Sequence, residues 1–327
     1  MKLRRRAGAL IFLLGAPLFA AALDEPGLRR DLTVLAAKMP GRLGACVESE
    51  KGSVCIHPRD AFPMQSVMKL LVGFAAMDSI DTAGWRLEEP LLVHRGDLSL
   101  FVQPIAKLVG TGGYRTTIGD LVRRAVIDSD SAATDILIAR LGGTAAVQRA
   151  LQRHGITGIR VDRDERHLQT EIMGLKWRPE YVDAALLDRE IAAVPAAERS
   201  RAFAAYQKDP RDTATPGGMA DFLFRMARGR LLSKTSTGFL LQAMKDCATF
   251  PDRLKAGVSG GWKIAHKTGT SADWNGITAA TNDEGILNAP DGAIIAVSAF
   301  VADSPASDAA RAATIASIAR IVVAHYR

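Results

Sequence analysis

Residues 262–302, WKIAHKTGTSADWNGITAATNDEGILNAPDGAIIAVSAFVA, decide the fold. Trp262–Lys267, Gly276–Asn282 and Ala293–Ala302 read as strands. Hairpin-like turns at Asn282-Asp283-Glu284-Gly285 and Pro290-Asp291-Gly292 separate the later runs. Beyond them, Ala306 to Tyr326 repeats Ala, Ile and Val at intervals of three and four, the pattern of an amphipathic helix. The opposite end of the chain is similar. A helix is predicted from Asp24 to Met39, stopping before Pro40-Gly41, and Arg42–Glu48 and Val54–His57 read as a strand pair around a turn. Between these ends, helical periodicity marks 67–80, 117–127, 131–141, 144–154, 180–206, 217–228 and 236–247. One antiparallel sheet assembled from both ends, flanked by the N- and C-terminal helices and interrupted by an all-helical insertion, is an α+β fold. The expected division is a discontinuous sheet domain, 23–64 and 214–327, around a helical domain, 65–213.

With 327 residues, 48% of them hydrophobic, the chain is long enough for one large core or two linked ones. The formal charge of +7 invites a nucleic-acid reading, but Lys2, Arg4, Arg5 and Arg6 supply four of the 42 cations. Without them 38 cations face 35 anions, a balance with no message about a polyanionic partner. Those four begin what reads as a secretory signal over residues 1–22. The apolar stretch Ala7–Ala20 follows, then small residues at Ala20-Ala21-Ala22. The stretch is short for a membrane anchor, and no Cys follows the small-residue site. A mature protein exported to the periplasm or beyond, free of the membrane, is therefore expected.

Three cysteines remain, Cys46, Cys55 and Cys247. Cys46 and Cys55 flank Glu50-Lys51-Gly52 in an expected hairpin, which can bring them opposite each other. Export permits a bridge there, opposed strand positions often suit one poorly, and two small buried residues are the alternative. No spacing of Cys and His suggests a metal site, and no cofactor is expected.

Three short motifs carry chemistry. Ser66-Val67-Met68-Lys69 puts a hydroxyl and an amine on one helix face near its start. A Lys so placed can take the Ser proton, and the helix N-terminus favours developing negative charge. Ser129-Asp130-Ser131 lies in a turn between helices. Lys267-Thr268-Gly269-Thr270-Ser271 ends a strand, offering an ammonium, hydroxyls and an unhindered backbone to a carboxylate-bearing, extended substrate. Singly, each has an ordinary structural account: a cap, a turn, an edge strand.

In this order and spread the three resemble the signature of the penicillin-recognising serine enzymes. Arg160-Val161-Asp162-Arg163-Asp164-Glu165-Arg166-His167-Leu168 is similar to the R-x-D-R-x-E-x-x-L stretch of class A β-lactamases, and Asp212-Thr213-Ala214-Thr215-Pro216 to the close of their Ω-loop. Phe62-Pro63-Met64-Gln65 and His266 through Asn282 look closest to the PER-like branch. The resemblance implies hydrolysis of a small-molecule β-lactam by a monomeric, antibiotic-destroying enzyme. Ser66 would attack the lactam carbonyl, with Lys69 and a water-bridged Glu165 as candidate bases. Glu165 would activate the water that hydrolyses the ester, and Ser129, assisted by Lys267, would pass a proton to the lactam nitrogen. The backbone N–H groups of Ser66 and Thr270 would hold the oxyanion. Thr268, Gly269, Thr270 and Ser271 would receive the substrate carboxylate with support from Arg253, while Arg163 and Asp212 would pin the Ω-loop.

Three departures stand out. Ser131 occupies a usual Asn position and has less reach toward a substrate amide. Gln169 replaces the Asn that helps hold the hydrolytic water. Glu165 and Asp212 are 47 positions apart, so the Ω-loop, 160–216, carries an insertion near 171–208 that either shapes substrate access or decorates the surface. A D-alanyl-D-alanine peptidase, or a penicillin-binding or sensing domain that stalls after acylation, shares the serine, lysine and Lys-Thr-Gly. Neither needs Glu165. Gly257-Val258-Ser259-Gly260-Gly261 matches a hydrolase elbow in letters only, because it leads into a strand.

Overall fold

The computed structural model describes residues 22–327. The expected leader, apart from Ala22, lies outside the described residues. Helix α1 (Glu25–Lys38) opens the described chain and leads into β1 (Arg42–Ser49), β2 (Gly52–Ile56) and the short β3 (Phe62–Pro63). A 3-10 turn at Gln65–Val67 runs directly into α2 (Met68–Thr82). A small ribbon of β4 (Pro90–Val93) and β5 (Tyr114–Thr117) precedes α3 (Ile118–Ile127), α4 (Ser131–Leu141) and α5 (Thr144–Arg153). Next come α6 (Glu165–Ile172), α7 (Ala184–Ala193), α8 (Ala196–Tyr206), β6 (Thr213–Ala214), α9 (Pro216–Ala227) and α10 (Lys234–Lys245). The chain ends with β7 (Lys263–Thr270), β8 (Asp273–Trp274), β9 (Ile277–Asn288), β10 (Ile294–Ser304) and α11 (Asp308–Ala324).

The main sheet has the order β2-β1-β10-β9-β7, antiparallel throughout, with β8 paired to β9. Alternation along the strands sends their side chains to two cores. Leu43, Ala45, Val47, Leu287, Ile295, Val297, Ala299 and Val301 pack against α1 and α11 on one face. Ala265, Ala279, Ile286, Phe300 and Ala302 pack toward the helices on the other. Full burial of each large apolar side chain contributes about 1.5–3 kcal/mol before entropy is subtracted. Helix α2 is the axis of the helical block, buried from Met68 through Asp78. A helix enclosed on all sides needs no polar face, which explains its near-continuous apolar sequence.

One expectation is corrected and two are made more specific. The turn expected at Asn282–Gly285 does not exist: β9 runs unbroken through it, and all four residues are buried. The polar groups of Asn282 and Asp283 find partners inside the protein, while burial pushes the Glu284 carboxyl well above its usual range. Asn282 Nδ2 donates to the carbonyls of Pro63 and Met64, and Asp283 accepts from Leu254 N and contacts His266. The single helical region expected at 180–206 is two helices, α7 and α8, parted at Val194-Pro195 because proline supplies no N–H to an advancing helix. Cys46 and Cys55, directly paired in the β1–β2 register, form a disulfide, and Cys247 is free and buried. Among the described residues no helix is long and apolar enough to cross a membrane.

Candidate active site

Ser66 occupies the centre of the 3-10 turn that starts α2, and Lys69 follows one turn later on the same face. Lys69 is fully buried. Its Nζ donates to the Ser129 carbonyl at 2.6 Å and to Ser131 Oγ at 3.0 Å, and lies 3.5 Å from Glu165 Oε1. The turn carrying Ser129 is held by its neighbour. Asp130 caps α4 through Ala133 N at 2.9 Å and accepts from Ile105 N at 2.7 Å, while Ser129 adopts φ +58°. That left-handed backbone is uncommon for a residue with a Cβ and points to a constrained functional turn.

Glu165 opens α6, where Asp164 caps the helix and Asp135 of α4 accepts from Glu165 N at 2.8 Å. Its carboxylate is buried. Oε2 receives Ser131 Oγ at 3.4 Å and Gln169 Nε2 at 3.3 Å. Burial, then the charges of Asp164 and Glu165, push Asp135 up to about 8. Asp135 was missed in the sequence, where the only signal is an isolated acid in the apolar run of α4.

The opposite wall is β7. Lys267 is wholly buried, and its Nζ donates to Ser129 Oγ at 3.0 Å and to the Thr268 carbonyl at 2.8 Å. Burial drives its pKa down to about 7. Thr270 reaches the cleft and accepts from Arg253 Nη2 at 2.6 Å. Arg253 also donates to the carbonyls of Gly269 and Asn282, and its guanidinium lies 3.9 Å from the Phe250 ring centre. It is buried and acts through Thr270. Two other expected carboxylate ligands also have partners within the protein: the Thr268 hydroxyl bonds the Thr249 hydroxyl at 2.5 Å, and Ser271 Oγ accepts from Ala280 N at 3.0 Å, which leaves the Ser271 O–H as a donor.

Arg163 and Asp212 meet as an ion pair, Nε to Oδ2 at 2.6 Å, and Asp212 Oδ1 accepts from the backbone N–H of Asp162 and Arg163. Glu171 and Asp209 complete the charge on Arg163. The insertion touches the site. Tyr206 of α8 receives a hydrogen bond from Gln65, and Trp274 Nε1 of β8 donates to Ser200 Oγ at 3.0 Å.

A cleft of about 190 Å³ joins these parts, lined by Ser66, Lys69, Ser131, Glu165, Gln169 and Thr270. Phe101, Val102, Met173 and Ala272 supply its apolar rim. Ser129 and Lys267 stand behind it. A nucleophile, two candidate bases and an ammonium around one small cavity are suited to acyl transfer.

The profile described as "Beta-lactamase enzyme family" matches residues 27–326. Among curated proteins, the chain is 30% identical to Beta-lactamase VEB-1 of Pseudomonas aeruginosa over 297 residues, covering 90% of this chain and 88% of that one. It is 27% identical to Extended-spectrum beta-lactamase PER-1 of the same organism over 307 residues, covering 92% and 88%. Among solved structures, an ancestral class A β-lactamase superposes with a TM-score of 0.73 at 28% identity, covering 91% of this chain and 99% of that one.

Proposed function

The chain belongs to the beta-lactamase enzyme family, and from that premise we propose that this class A β-lactamase opens its substrates through an ester on Ser66 and clears the ester with water activated by Glu165. Ser66 Oγ bonds to the lactam carbonyl carbon as its proton passes to Lys69 or, through water, to Glu165. The 3.5 Å contact between these two allows either to hold it. The C–N bond then breaks, and Ser129, supplied by Lys267, protonates the departing nitrogen. Backbone N–H groups of Ser66 and Thr270 carry the oxyanion. Lys267 and Thr270, the latter held by Arg253, receive the substrate carboxylate. A water then bonds to the ester carbonyl, yields its proton to Glu165, and Ser66 leaves with a proton restored. The biological role is antibiotic resistance, exerted by an exported monomer.

The supporting observation is the convergence of Glu165 with Lys69, Ser131 and Gln169 on the cleft that Ser66 lines. A stalled penicillin binder or a peptidase has no use for that carboxylate. Glu165→Ala is expected to show a burst of one equivalent of benzylpenicillin, then a trapped ester seen by intact-protein mass spectrometry. Steady hydrolysis at the wild-type rate would remove Glu165 from the mechanism.

A further inference from the structure

The insertion between α6 and β6 returns one polar side chain to Gln65, the residue that precedes the nucleophile. Tyr206, the last residue of α8, is buried in the core that also holds Leu168, Ile172 and Phe203. Its phenol oxygen accepts a hydrogen bond from Gln65 Nε2. Gln65 Oε1 accepts from Gln169 Nε2 at 3.0 Å, and the same Nε2 reaches Glu165 Oε2 at 3.3 Å. Tyr206, Gln65, Gln169 and Glu165 thus form one unbroken line from the insertion to the proposed base.

The direction of every bond in that line is set by its end. An ionised carboxylate can only accept, so Gln169 must turn its NH2 toward Glu165. The same NH2 then faces Gln65, which must present its carbonyl. The Gln65 NH2 is left for Tyr206, whose oxygen accepts. Each amide is held in one of its two flips, and Gln169 Oε1 receives no hydrogen bond from the described residues. That carbonyl is the acceptor available to a water in the cleft Gln169 lines. Removing the phenol oxygen strands a buried donor on Gln65, and its amide must turn to find another partner.

Helix α8 is fixed near both ends. Trp274 Nε1 donates to Ser200, Arg199 stacks 4.7 Å from the Trp274 ring centre, and Gln207 Nε2 donates to Asp303 Oδ1 at 2.8 Å. Ties to β8 and β10 keep Tyr206 at a set depth.

We infer that Tyr206 is a positioning residue for deacylation: through Gln65 it orients the Gln169 amide, so that Gln169 Oε1 and the Glu165 carboxylate hold one water against the ester carbonyl. The inference rests on Glu165 being the deacylation base. The phenol touches neither water nor ester, and the bonds made and broken are those already given for hydrolysis of the Ser66 ester.

The test separates acylation from deacylation by quenched-flow mass spectrometry with benzylpenicillin. In Tyr206→Phe, deacylation is expected to fall on the order of 10- to 100-fold, the cost of a slightly misplaced reactant. Acylation should stay within about threefold, so kcat and KM fall together and kcat/KM holds. Gln65→Met cuts the line one bond further on, and should match that loss without adding to it in the double variant. A packing role alone would lower Tm without this split. Unchanged deacylation in folded Tyr206→Phe, or additive losses in the double variant, overturns the inference. Should Tyr206→Phe fail to fold, Gln65→Met decides by the same criterion. Glu165→Gln is measured alongside: if it accumulates no ester, the reading of Glu165 fails. If it traps the ester while Tyr206→Phe deacylates normally, only the role of Tyr206 falls.

Discussion

Gly269 stands so close to Met64 that a Cβ in its place would lie 2.4 Å from the Met64 carbonyl oxygen, with Val67 N at 3.1 Å and Ser66 N at 3.2 Å. These obstacles are backbone atoms, which cannot rotate away. Strand β7 also carries Lys267 and Thr270, so pushing it off the nucleophile's turn moves both from Ser66. Gly269→Ala is expected to lower kcat/KM on the order of 100-fold. The overpacking should cost about 1–3 kcal/mol of stability. Initial rates and urea unfolding check both, and a variant with wild-type kcat/KM would show that this contact does not set the site's spacing.

The Lys267 ammonium donates to Ser129 Oγ, yet burial lowers its pKa to about 7. The charged form pairs with a substrate carboxylate and supplies Ser129, and it is lost as pH rises through that value. In the free enzyme kcat/KM should therefore decline on the alkaline side with an apparent pKa near 7. A bound carboxylate favours the ammonium, so the same limb in kcat should lie higher. Lys267→Arg keeps its charge and should abolish the limb even where it lowers the rate. A wild-type kcat/KM that stays level to about pH 9 would contradict this assignment.

Local chemistry made much of this protein readable. The periodicity of α3, α4 and α5, and the turn-and-cap chemistry of Asp130, depend on neighbours within four residues. Ser66 and Lys69 share a helix face for the same reason. Arg163 with Asp212 and Ser129 with Lys267 came from the family resemblance, whereas several other residues whose partners are distant in sequence were misread or missed. Asn282 and Asp283 carry turn chemistry, but the carbonyls of Pro63 and Met64 and the ring of His266 answer them inside a strand. The periodic pattern of 180–206 showed helix without showing that Tyr206 ends against Gln65. Thr268 and Ser271 belong to a motif that does not record the bonds their hydroxyls make to Thr249 and to the β9 backbone.

Asp212 and Arg163 close the long Ω-loop at its neck, where the carboxylate also accepts from two backbone N–H groups. Arg163→Met would keep much of the volume and leave Asp212 buried without a countercharge. Breaking one side of a buried pair costs about 3–5 kcal/mol. Urea unfolding should show a loss of that order, with slower deacylation because α6 is no longer braced. A loss below about 1 kcal/mol would mean the backbone donors suffice alone.

His266 and Asp283 give the fold its own pH dependence. Burial disfavours the imidazolium, but the Asp283 carboxylate, 2.9 Å from Nδ1, together with Cys247, outweighs it and lifts His266 to about 10. An unfolded histidine titrates near 6.5. Because the folded value is the higher one, the stabilisation is complete below about pH 6.5 and is lost as pH rises through about 10. The effect is on the order of a few kcal/mol. His266→Gln fills the site with a neutral amide, so its deficit against wild type should be greatest near pH 6 and shrink steadily towards pH 10. Urea unfolding across that interval measures the deficit directly. Parallel stability curves for the two proteins would show that the imidazole enters the fold uncharged and that Asp283 is held by Leu254 N instead.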